Sequence, residues 1–191
     1  MNRLRFRCDT LASVRKCLSC WRAGAGVFIL GTKRNKKVTA TLRFLQFLSL
    51  GCWLGSIIFF IVFTAGIFSV MPTKDLAGLV VGYSLARLHI MGIVAGCVYL
   101  LSTVVLERSV GALVRPAALL VFVMILCTMA SQYGVIARMD VLRAQMGSVD
   151  ATSADNPLRV AFDRLHQYSV RLESVVLFSG LAALFLTARR K

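Results

Sequence analysis

Residues 156–187 read NPLRVAFDRLHQYSVRLESVVLFSGLAALFLT, a helix that starts polar and ends apolar. Asn156 suits an N-cap, Pro157 suits the first helical position, and no later proline interrupts the run, so one continuous helix is predicted here. Steps of three, four and seven return to the same side of a helix, which places His166, Ser169, Glu173 and Gly180 on one face. A polar stripe entering an apolar helix marks where function is to be sought. It does not specify a reaction.

Composition sets the class. The 191 residues are 58% hydrophobic and 16% charged, too apolar for a soluble domain, which keeps roughly a quarter of its residues charged. The reading is an integral membrane protein, all-α, built as a four-helix transmembrane bundle behind an N-terminal basic cytoplasmic tail. The formal charge of +15 would suggest nucleic acid in a soluble protein. Here the positive charges gather at the two ends of the chain, which topology explains without a nucleic-acid partner. The lipid bilayer is the expected environment.

Working outward, residues 1–43 form the tail, with eleven basic residues from Arg3 to Arg43 against the single acid Asp9. Leu4, Cys8, Leu11, Leu18 and Trp21 would line one side of an amphipathic helix resting on anionic lipid headgroups; a disordered basic tail is the alternative. Cys17 and Cys20 make a CxxC pair with Cys8 nearby, but no histidine completes a four-ligand zinc set. The remaining cysteines, Cys52, Cys97 and Cys127, lie in apolar stretches, which argues against a disulfide framework.

The membrane domain covers 44–188, with approximate spans at 44–71, 88–106, 116–137 and 168–187. Pro72 ends the first span, Thr73 and Asp75 open the second helix, and Pro116 opens the third. Gly51 with Gly55 and Gly92 with Gly96 are GxxxG pairs suited to close helix packing, within the chain or in a homo-oligomer. His89 shares its face with Gly92, Gly96 and Thr103. Only GSVDATSADN, residues 147–156, reads as loop, so helices three and four project beyond the bilayer and meet in a flexible turn. Excess basic charge at both ends and balanced charge around that loop predict cytoplasmic termini, in a bacterial inner membrane or a eukaryotic membrane.

The order of features resembles the transmembrane-protein-205-like family, also called domain of unknown function 4149, over approximately Leu42 to Leu186. Gly51, Trp53 and Gly55 in LGCWLGSIIFF carry the resemblance, with Pro72, Gly92 after LARLHIM, and Phe162, His166 and Ser169 in FDRLHQYSVRLES. The resemblance implies a small four-helix membrane protein with no catalytic assignment. The basic tail lies outside it.

Topology makes His89 and His166 enter the membrane from the same side, at similar depth. Gln132, Arg138, Ser169 and Glu173 would complete a polar cavity in that half, with Glu173 about 10 Å deeper than His166. Three readings follow. The polar groups satisfy one another for packing, with Glu173 paired to Arg87, Arg138 or Arg171. Alternatively, His89 and His166 bind haem or copper, with Met91 or Cys97 as further ligands. In the third, Glu173 links a proton to transport or sensing of a small solute, because an ionisable residue inside a membrane is expensive unless it has a use. A small-solute or stress-related membrane role, or a structural membrane component, is preferred over enzymology: the chain has no GxSxG, HExxH or GxxxxGK[ST] motif.

Overall fold

Each helix starts where the sequence supplies a cap. Asn35 accepts a hydrogen bond from the Lys37 amide, Thr73 from the Leu76 amide and Asn156 from the Leu158 amide, while Pro116 occupies a first-turn position that needs no donor. The computed structural model describes residues 35–190. Within them four helices are long and apolar enough to cross a membrane: α1 (Lys36–Val70), α2 (Lys74–Glu107), α3 (Pro116–Met146) and α4 (Pro157–Ala188). The readings made for the tail, including Cys8, Cys17 and Cys20, concern residues outside the described range.

The first helix begins at Lys36, where Asn35 caps it, ahead of the expected membrane span at 44–71. The second starts at Lys74 behind its Thr73 cap, where Thr73 and Asp75 placed it, and carries the expected span at 88–106 in its later part. It stops at Arg108, whose φ of 51° is left-handed, and a short 3-10 turn over Val110–Val114 leads into α3. This third helix is α-helical over Pro116–Met129, widens to a π-helix over Ala130–Ile136 and returns to α over Ala137–Met146. Gly147, with φ of 71°, ends it.

The helices close into a ring: α1 packs on α2, α2 on α3, α3 on α4 and α4 on α1. Leu50, Trp53, Ile57, Leu88, Tyr99, Val121, Met124, Val176 and Ala183 form the core. In a bilayer such contacts stabilise by close packing, since lipid tails are as apolar as the side chains they exchange with. Small residues permit the approach. A Cβ on Gly92 would stand 2.3 Å from the Trp53 indole nitrogen, and one on Gly180 would stand 2.5 Å from Leu54. Gly96 is similarly crowded by Ile125 and Trp53. Gly51 and Gly55 differ: both are exposed and no atom comes within 4 Å of a Cβ built on them. They make no helix seam among the described residues.

The loop joining α3 to α4 is tied down. Asp75, at the start of α2, accepts hydrogen bonds from the Ser148 hydroxyl and the Val149 amide. Asp150 accepts in return from the amides of Lys74 (2.7 Å) and Asp75 (3.3 Å), and Arg159 donates to the Val149 carbonyl. The expected flexible turn is instead a loop latched to a helix N-terminus.

Candidate functional site

Near the middle of α2, the ring of His89 is 1% exposed and both its nitrogens are engaged. Nδ1 lies 2.7 Å from Oε1 of Gln132 on α3, and Nε2 lies 2.6 Å from Oε1 of Glu173 on α4. Three helices thus meet through one imidazole. The contact between α2 and α4 spans the diagonal of the ring, so side chains join helices that are not packing neighbours.

Local structure explains each placement. His89 is one turn before Gly92, on the face that Trp53 covers. Gln132 belongs to the π-helix; such widened turns recur at functional sites, where they shift the face that a side chain presents. Glu173 keeps 19% exposure of its side chain and Gln132 is half-buried, so the fully buried His89 is flanked by two partners that both reach toward the bundle surface.

The hydrogen-bond pattern constrains the protons. With Oε1 of Gln132 as acceptor, Nδ1 must carry a hydrogen. The short contact on the other side requires one proton between Nε2 and the Glu173 carboxyl, as imidazolium with carboxylate or as imidazole with carboxylic acid. Either arrangement is neutral as a pair, which is how a carboxyl is held in an apolar setting at tolerable cost.

Other polar groups form separate ties. Ser131 and Ser169, both buried, face each other at 3.4 Å between α3 and α4. Thr187 donates to the Ala183 carbonyl, so the Tyr99 hydroxyl is the donor in its 2.7 Å bond to Thr187, a second diagonal link between α2 and α4. Gln46 donates to Thr103 at 2.8 Å, and Thr103 passes its own hydrogen to the Tyr99 carbonyl. These ties were not read from the sequence. Gln46 within FLQFLSL was the available signal, a lone amide in an apolar stretch.

Besides Ser169, two expected members lie outside the trio. His166 is exposed on α4, seven residues and about 10 Å along the helix from Glu173. His89 therefore meets Glu173 and not His166, and the two histidines are not brought together. Arg138 is exposed and lines a groove with Arg164, away from the trio. Glu173 pairs with none of the expected arginines: Arg87 bonds Tyr83 at 2.6 Å and Arg171 lies over the Tyr168 ring. Met91 and Cys97 are exposed, and among the described residues no group of three or more His, Cys, Asp or Glu is placed to hold a metal ion.

Comparison with known proteins gives one match. Residues 48–148 fit the family model described as Domain of unknown function (DUF4149), a range that includes Gly51, Trp53, Gly55, Pro72, His89, Gly92 and Gln132 and ends before α4. The transmembrane-protein-205-like name rests on resemblance alone. No curated protein and no solved structure matches.

Proposed function

We propose, for a chain that belongs to the family described as Domain of unknown function (DUF4149), a proton-linked membrane role for a small solute in which Glu173 and His89 hold the exchangeable proton. One observation carries this reading: a buried imidazole clamped between a carboxyl and an amide inside an apolar bundle. A tie that served packing alone would need only hydroxyls and amides, as at Tyr99 with Thr187 and at Gln46 with Thr103.

The three groups give the proton a means of coupling. When the shared proton leaves through Glu173, the carboxylate needs a donor, which the imidazole supplies by changing tautomer: it gives up the hydrogen on Nδ1 and takes one on Nε2. Nδ1 then becomes an acceptor, and Gln132 meets it by turning its amide so that the NH2 group faces the ring. Proton loss at Glu173 is thereby linked to a rotation on the π-helix. In this reading the ends of α1 and α4 that bear Lys36 and Arg189 face the cytoplasm of a bacterial inner membrane, and the basic tail meets anionic lipid there. The outward Gly51 and Gly55 are where a second copy would pack.

The test is proton flux into liposomes that contain the purified protein and a trapped pH dye, after an imposed pH step. Glu173→Gln and His89→Ala are expected to slow the flux about tenfold or more, since each removes a group that holds the proton, while His166→Ala stays near wild type. Wild-type flux no greater than that of protein-free liposomes, or Glu173→Gln matching wild type, would remove the proton role and leave the trio as a structural cross-tie.

A further inference from the structure

Beyond the trio, the halves of α3 and α4 that lead into their shared loop enclose a groove of about 630 Å³. Arg138, Val141, Leu142 and Gln145 recur at helical spacing along one face of α3, and Ala161, Arg164 and Leu165 do so along α4. Leu142, Ala161 and Leu165 are half-buried and make an apolar floor, while Arg138, Arg164 and Gln145 are exposed at the rim.

Charge and depth define what fits. Asp163, the acid next to Arg164, is taken by Arg159 at 3.1 Å, and Asp140 does not line the groove, so its lining carries two positive charges and no negative one. From Pro116 to Arg138, and from Arg164 to Arg189, the helices rise about 35 Å, close to a hydrocarbon thickness of about 30 Å. Both guanidinium groups therefore stand at headgroup level in the same leaflet. Guanidinium forks match phosphate oxygens two at a time, and an apolar floor beside them suits a glycerol backbone and the first methylenes of an acyl chain.

We infer that this groove seats the phosphodiester headgroup of an acidic phospholipid. A free phosphate would use the arginines and leave the floor idle; a zwitterionic lipid would bring a choline cation to a doubly positive rim.

The experiment melts the full chain in neutral detergent, followed by tryptophan fluorescence, against added dioctanoyl phosphatidylglycerol, dioctanoyl phosphatidylcholine or inorganic phosphate. Phosphatidylglycerol is expected to raise the melting temperature saturably, with little effect from the other two. Arg138→Gln with Arg164→Gln should move the half-saturation point upward about tenfold, the scale of losing two charge-assisted contacts. Arg171→Gln, on α4 outside the groove, should leave it unchanged; the basic tail is present throughout and cancels. Should the double variant fail to fold, each single Gln variant and Arg138→Lys with Arg164→Lys decide the matter, each expected to shift the half-point by about threefold. An equal response to phosphatidylcholine would mean an apolar site, and an equal response to phosphate a free-anion site. Either overturns the inference, as does an unchanged half-point in the variants.

Discussion

Gly92 lies so close to the Trp53 indole that a methyl group there would stand 2.3 Å from its nitrogen, whereas Gly55 has open space beyond its Cα. Gly92→Ala should therefore destabilise the bundle by about 1–3 kcal/mol through overpacking, and Gly55→Ala should change it by less than about 0.5 kcal/mol. Denaturant unfolding of the two variants in detergent measures the difference; equal stabilities would mean that Trp53 swings aside freely. Spacing placed His89 on this glycine face, and that placement was legible. Its partner was not, because helical periodicity fixes the face of a residue but not its level against another helix. The row His166, Glu173, Gly180, Thr187 shows the consequence: exposure falls along it from exposed His166, through Glu173, to buried Gly180 and Thr187. Leu54 closes over Gly180 and Tyr99 bonds Thr187, while His166 is exposed although Phe162 and Ser169, on either side of it along α4, are buried. The face read from spacing was correct and the depth was not.

At the scale of elements, helix starts were readable because caps are local chemistry: Thr73, Pro116 and Asn156 needed only their own neighbours. The π-helix over Ala130–Ile136 was not readable, since ASQYGVI has no composition that distinguishes a widened turn from an ordinary one. Its stability comes from packing on α4, with Ser131 against Ser169 as the visible contact. The latch between the α2 start and the α3–α4 loop was equally hidden. In sequence Asp75 reads as a helix-start acid and Asp150 as a solvated loop acid, yet the two segments exchange hydrogen bonds across more than seventy positions. Asp75→Ala removes the acceptor of both the Ser148 hydroxyl and the Val149 amide. Trypsin cleavage at Arg143 or Arg159 is expected to accelerate about threefold or more, because cleavage of a held loop follows its local opening. A cleavage rate equal to wild type would show that Asp150 and Arg159 suffice to hold the loop.

For the whole molecule, four crossings put the start of α1 and the end of α4 on one side of the membrane and the α3–α4 loop on the other. The start of α1 carries Lys36, Lys37 and Arg43, and the turn from α2 to α3 on the same side carries Arg108 and Arg115 with Glu107, which bonds Arg115. Arg189 and Arg190 add to this side. At the loop end, basic residues alternate with Asp75, Asp140, Asp150, Asp155 and Asp163. Positive charge near helix ends is retained in the cytoplasm during insertion, and acids count little in that bias. The asymmetry thus predicts a loop that faces away from the cytoplasm. Within that loop Thr152 is half-buried and bonds the Ser148 carbonyl, whereas Ala154 is exposed and makes the better probe site. Ala154→Cys, with Cys8, Cys17 and Cys20 replaced by serine and intact cells treated with a membrane-impermeant maleimide, should label without permeabilisation. The native Cys52 and Cys97 lie in apolar helices, where a thiol lacks the water it needs to ionise and react. Labelling only after permeabilisation would invert the molecule. The Arg138–Arg164 groove would then face the cytoplasmic leaflet.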